Sequence, residues 1–267
     1  MQKVRPLKRF GQHYLHDKNI IKKIVREIDP KPDDTIVEIG PGRGALTEYI
    51  YGKANNFIAV EVDKRVIDDL SSKFPELELI RTDFLKIDPK SLRRSDKERI
   101  RIIGNIPYNI TSPIIFKAIK NSEIIKDAVL MVQLEVAKRF IAKKGTKDYG
   151  ILTVLLKYFS ETKLCFKISP NAFYPKPKVT SAVVHIKLKS LKISKSEQQT
   201  FIKIVKASFG NRRKTLKNSL SNSIFKEINF ADADIDLSLR AEQLDVNDFI
   251  KLTEFVRDQS DLSDSVF

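Results

Sequence analysis

Tryptophan is absent from the 267 residues, cysteine occurs once, methionine twice and histidine three times. A lone Cys165 has no partner for an internal disulfide, which points to a reducing, cytoplasmic setting. His13, His16 and His185 are too few and too scattered, even with that cysteine, to make a metal cage, so no metal is expected. No uncharged apolar run approaches the ~18–20 residues that span a bilayer, and no charged-then-apolar leader opens the chain. A soluble protein with no membrane partner follows.

Acids are missing from two places. Lys3, Arg5, Lys8, Arg9, Lys18, Lys22, Lys23 and Arg26 crowd the first residues against a single acid, Asp17. A second block, Lys203, Lys206, Arg212, Arg213, Lys214 and Lys217, contains none, while Asp232 to Asp264 is dominated by Asp and Glu. The net charge of +15 is therefore clustered. A solvated face is one reading of such blocks; contact with the phosphates of a nucleic acid is the one their lack of acids favours.

The 42% hydrophobic content supports a real core. From about residue 20 to 188 apolar runs alternate with helix-period stretches, the pattern of an α/β doubly wound sheet. Strands are expected at 35–39, 57–62, 77–81, 100–104, 128–133, 163–168 and 181–188, seven in all. Helices are expected at 45–51, 65–73, 112–119, 135–142 and 152–159, and none across the proline-rich 170–178. Beyond a linker at 189–196 the pattern is helical only, which predicts a first domain over 1–190 and a small all-helical domain over 191–267.

Two short motifs carry the chemistry. Gly40-Pro41-Gly42-Arg43-Gly44 closes a strand and opens a helix, where a backbone without Cβ atoms can turn sharply beneath a ligand. Glu61 ends the next strand, at the spacing where an acid meets ribose hydroxyls, so an adenosine-bearing cofactor fits. Gly40 to Ala45 also satisfies the dinucleotide pattern, which keeps a nicotinamide enzyme in view, and a tight strand-to-helix turn with no ligand is the plain alternative. Asp83, past the third strand, either accepts from the cofactor's adenine amine or caps a helix.

Asn105-Ile106-Pro107-Tyr108 closes the fourth strand. An aromatic amine such as adenine N6 is a poor nucleophile, because its lone pair is conjugated with the ring. Methylation needs acceptors that hold the N–H groups while the nitrogen pyramidalises. The Asn105 side-chain oxygen and the Ile106 carbonyl can supply them, Pro107 fixes the turn, and Tyr108 can stack on the base. Phe173, on a proline-braced loop, either covers the other face of a flipped base or caps the core.

These residues are familiar together. Over residues 5 to 257 the chain resembles the KsgA (RsmA) type of small-subunit rRNA adenine N6,N6-dimethyltransferases, which have the class I S-adenosylmethionine-dependent methyltransferase fold. The likeness rests on Lys8-Arg9-Phe10-Gly11-Gln12-His13-Tyr14-Leu15, Val37 to Gly44, Asn105 to Tyr108, Phe173 to Ser181, and Ser208 to Leu216 with Asn218. It implies a Rossmann-like seven-stranded sheet with a small helical C-terminal domain. It implies an S-adenosyl-L-methionine site at His13, Leu15, Gly40, Glu61, Asp83 and Asn105, with Asn105, Tyr108 and Phe173 handling the adenine. His13 stands where many relatives have Asn, so contact there is expected through the backbone.

The implied reaction dimethylates two adjacent adenosines in the 3′-terminal hairpin loop of 16S rRNA, in the 30S subunit or its precursor. The helical domain, through Arg212, Arg213, Lys214 and Lys217, would seat a monomeric enzyme there. A related class that modifies one adenine of large-subunit rRNA shares both motifs; the segments at 173–181 and 212–216 favour the small-subunit type. A non-catalytic binder on this fold has no need of Asn105 and Tyr108, and a nicotinamide enzyme leaves both the charge and that motif unexplained.

Overall fold

The computed structural model describes residues 12–264, and side chains as far as residue 259. Lys8 to Gly11 of the first motif and the basic Lys3, Arg5, Lys8 and Arg9 lie outside the described residues.

In chain order the elements are β1 (Tyr14–Leu15), α1 (Lys18–Ile28), β2 (Thr35–Ile39), α2 (Thr47–Ile50), β3 (Asn56–Glu61), α3 (Lys64–Lys73), β4 (Glu78–Arg81) and β5 (Ile100–Asn105). There follow α4 (Thr111–Lys120), β6 (Ile125–Gln133), α5 (Leu134–Phe140), α6 (Ile151–Phe159), β7 (Ser160–Ile168), β8 (Phe173–Tyr174) and β9 (Ser181–Leu188). Helices α7 (Lys195–Ser208), α8 (Leu216–Ser221) and α9 (Val246–Asp264) complete the chain.

Seven strands form one sheet in the order β4-β3-β2-β5-β6-β9-β7. Strands β2 to β6 run parallel where they pair, and β9 lies antiparallel to β6. The order reverses between β2 and β5, which leaves a crevice at their carboxyl ends, the usual ligand site of open α/β sheets. Helix α1, absent from the expected helices, is held by Ile21, Ile24, Val25 and Ile28, whose helical spacing packs them into one cluster with Ile36, Ala59, Ile103 and Val129. Its start is set by Asp17, whose Oδ1 accepts from Asn19 N and Ile20 N.

Three further details of the first unit depart from the sequence reading. The helix after the glycine turn begins only at Thr47, because the turn itself extends to Leu46. Residues 170–172 form a single 3₁₀ turn, which Pro170 tolerates at the first position, and Ser169 caps it. A separate two-stranded ribbon pairs β1 with β8, Tyr14 opposite Tyr174 and Leu15 opposite Phe173.

The described residues pack as two compact units: those up to Ala137 with Glu161–Ser190, and Lys138–Ser160 with those from Leu191 onward. Residues 138–160 thus pack with the helical segment, unlike a simple cut at residue 190. The cause is visible in α6, where the Tyr158 ring stacks on Phe201 of α7 at 4.1 Å and Phe159 meets Phe201 edge-on at 5.7 Å. Phe201, Ile204 and Val205 of α7 are buried there, as their spacing predicts. Among the described residues, no helix is long and apolar enough to cross a membrane and no group of three or more His, Cys, Asp or Glu could hold a metal ion.

Candidate active site

The crevice at the carboxyl ends of β2, β3 and β5 opens into a cavity of about 280 Å³. Its floor is the glycine turn. Gly40 adopts φ +66°, which any L side chain would strain, and its N–H donates to the Val60 carbonyl at 2.9 Å, pinning the turn to β3. Close approach of β5 needs a second glycine: a Cβ on Gly104 would lie 2.5 Å from the Ile39 carbonyl oxygen.

Glu61 is 5% exposed, yet its carboxylate is well supplied with donors. Oε1 accepts from Val62 N and Asp63 N, both at 2.9 Å, and Oε2 accepts from Gly42 N at 3.3 Å. Burial raises its pKa above the ordinary carboxylate range, although those amides pull the other way. Next to it stands a residue that the sequence reading gave no role. Glu38, alone among apolar neighbours in β2, is 2% exposed and accepts from the Thr47 hydroxyl at 2.7 Å. Burial pushes its carboxyl up to about 7.

Asn105, at the end of β5, donates from Nδ2 to the His13 carbonyl at 2.7 Å. That bond orients the amide and leaves Oδ1 as its remaining acceptor on a wall of the cavity. The Tyr108 ring follows in one 3₁₀ turn; its hydroxyl bonds to the Ser181 hydroxyl at 2.7 Å. His13 backs it, with ring planes at 23° and centroids 6.1 Å apart, and donates from Nδ1 to the Pro175 carbonyl at 2.7 Å. The His13 side chain therefore braces the site as well as offering its backbone to Asn105.

His13, Leu15, Gly40, Glu61, Asp83, Asn105 and Tyr108 all line this one cavity. Asp83 does so while its Oδ1 caps the turn at Phe84–Lys86 by accepting from Leu85 N at 2.9 Å, so the cap and a place on the cavity wall are compatible. Phe173 is not brought to the cavity. It is 1% exposed and packs in the core with Leu15, its partner on the ribbon, in the second of the two roles its loop allowed. Gln12 and Tyr14, unassigned from sequence, also line the cavity; Gln12 donates to Asp63 at 3.0 Å and accepts from the Tyr14 hydroxyl at 3.1 Å.

In the helical unit the four basic residues are not equivalent. Arg212 pairs with Glu242 at 3.2 Å and donates to the Lys147 and Tyr149 carbonyls, so it ties segments of that unit together and does have an acid beside it. Arg213, Lys214 and Lys217 are exposed.

A seven-stranded sheet of this order, with its cavity over a glycine turn at the strand reversal, defines a class I methyltransferase. Within that class the chain belongs to the ribosomal RNA adenine dimethylase family, whose model matches residues 4–258. It is 45% identical to ribosomal RNA small subunit methyltransferase A of Francisella tularensis (strain WY96-3418), over 95% of this chain and 98% of that protein. Among solved structures it resembles a dimethyladenosine transferase from Plasmodium falciparum, with a TM-score of 0.75 and 27% identity over 92% of this chain and 98% of the other. The 23S rRNA methyltransferase ErmE follows, with a TM-score of 0.66 and 25% identity over 91% and 99%. Dimethylation of adenine in ribosomal RNA is the reaction of this family.

Proposed function

We propose that the enzyme uses S-adenosylmethionine to dimethylate N6 of two adjacent adenosines in the 3′-terminal hairpin loop of 16S rRNA, in the small subunit or its precursor. The observation that carries this reading is the Asn105 amide on the cavity wall, held through Nδ2 by the His13 carbonyl, which leaves its Oδ1 as an acceptor there. A small-subunit substrate is favoured by the identity of 45% to a small-subunit methyltransferase against 25% to the large-subunit enzyme.

The residues present fit the cofactor. Glu61 offers buried carboxylate oxygens suited to vicinal ribose hydroxyls, the turn at Gly40 lets the backbone approach, and Asp83 can accept from the adenine amine. Bound there, S-adenosylmethionine would supply an electrophilic methyl group on its sulfonium. The protein's part is orientation. Asn105 Oδ1 and the Ile106 carbonyl accept the N–H groups of the target amine and strengthen their hold as it pyramidalises. Tyr108, fixed by Ser181 and His13, offers its face to the base. No strong base is needed, since the methylated nitrogen sheds its proton readily.

Glu61→Ala should weaken S-adenosylmethionine binding by ~1–3 kcal/mol, the scale for losing bonds to a charged acceptor. Calorimetric titration checks this, and binding of NAD with none of S-adenosylmethionine would contradict the cofactor reading. Substrate choice is decided by transfer of tritiated methyl groups to unmodified 30S against 50S subunits, with the labelled nucleotides mapped. Label confined to 50S would overturn it.

The helical unit, with residues 191–267, is assigned to seating the enzyme on the subunit. Arg213 and Lys214 are exposed and suit phosphates. Their joint reversal to Glu should weaken subunit binding and leave cofactor affinity alone. It should also flatten the slope of log affinity against log salt by ~0.7–0.9 for each phosphate no longer neutralised. An unchanged slope returns both residues to a solvated face.

A further inference from the structure

On the β1–β8 ribbon, neighbouring residues point to opposite faces and directly opposed ones share a face. Leu15 and Phe173 turn into the core together. Tyr14 and Tyr174 therefore share the other face, and Tyr14 lines the cavity. Tyr174 is 61% exposed and is the one exposed tyrosine or phenylalanine among the described residues. Its backbone is held on both sides, by the ladder to Tyr14 and by the His13 bond to the Pro175 carbonyl. Lys176 and Lys178 follow it, both exposed.

A large aromatic ring held in water, across the ladder from a cavity-lining tyrosine, gains nothing for folding. Fixed aromatic faces interleaved with lysines are how proteins hold unpaired nucleotides, with ring on base and ammonium on phosphate. We infer that Tyr174 is the stacking platform for the nucleobase next to the one held in the cavity. The inference rests on the reading that two adjacent adenosines of an RNA loop are the substrate. When one of them enters the cavity, its neighbour leaves the stack and needs a new face, and the cross-strand position of Tyr174 from cavity-lining Tyr14 supplies one.

Two measurements test it. In steady-state transfer to unmodified 30S subunits, Tyr174→Ala should raise KM for the subunit about tenfold, a loss within the range for stacking on one base. Tyr174→Phe, which keeps the face, should match wild type, and affinity for S-adenosylmethionine should be unchanged in both. The absence of tryptophan permits the second test: Tyr174→Trp introduces a single tryptophan, whose emission can be excited apart from the tyrosines. Its emission should be quenched by an RNA hairpin with two adjacent unpaired adenosines, and less so when either one is made abasic. If wild type does not label 30S subunits at all, the substrate reading falls and the inference with it. If wild type labels them and Tyr174→Ala has the same KM, or quenching ignores the abasic sites, the inference alone is overturned.

Discussion

Asn105→Ala is expected to lower single-turnover methyl transfer by roughly 10²–10³-fold, the scale of deleting one oriented group that acts as charge develops. Affinity for the subunit should change little, because the amide matters more in the transition state than in the bound substrate. Asn105→Asp is a sharper probe. It keeps an acceptor toward the cavity but sets a carboxylate oxygen where Nδ2 now donates to the His13 carbonyl at 2.7 Å, so the group turns away and activity should still be lost. Single-turnover rates equal to wild type in both variants would show that the reaction centre lies elsewhere.

The largest expected effect on stability comes from the opposite end of the sheet. Arg101 is 7% exposed and donates from Nε and Nη2 to both Asp127 oxygens at 2.9 and 2.8 Å, and from Nη1 to Asp34 at 2.7 Å. It also reaches the Ile28 carbonyl at 2.7 Å, tying β5 to the end of α1. His185 bridges Asp127 and Glu27 at 3.0 and 2.8 Å. Arg101→Met leaves Asp34 and Asp127 buried without their main partner, which costs about 3–5 kcal/mol and should lower Tm by roughly 10 °C.

The pH dependence follows from the acids. Burial would raise the Asp127 carboxyl, but the bonds from His185 and Arg101 prevail and hold it below its ordinary value of 3.8; Asp34 is lowered likewise. Acids depressed in the folded state contribute stability that is present above that ordinary value and lost as pH falls through the folded one. The Tm gap between wild type and Arg101→Met should therefore be full near neutrality and narrow below about pH 4. A gap that stays constant down to pH 2 would show that the loss is one of packing and not of paired charge.

What could be read from the residues alone was whatever a short stretch of chain enforces by itself. The turn at Gly40 demands glycine because φ is positive there, and Glu61 and Asn105 lie at strand ends that alternation locates, so all three reach the cavity as expected. Glu38 is not legible in this way because its meaning depends on Thr47 closing over it, a contact made by the path of the turn. Phe173 and Tyr174 are adjacent aromatics, and only the register of the ribbon decides which one enters the core. Arg212 reads as a free cation among cations until Glu242, thirty residues on, folds against it. Residues 138–160 carry ordinary helical periodicity, and nothing in that period names Phe201 as their partner.

The bonds to His13 bear on how the enzyme is made. Asn105 takes its carbonyl and the Pro175 carbonyl takes its ring, contacts that span 92 and 162 residues of sequence. During synthesis from the N-terminus, the parallel strands β2 to β5 can pair as they emerge, but the clasp on His13 must wait until residue 175 has left the tunnel. The cavity wall is thus among the last parts of the first unit to close. A nascent chain halted short of the proline loop should carry the glycine turn and Glu61 in place, yet hold its Asn105 amide without the full brace that aims it.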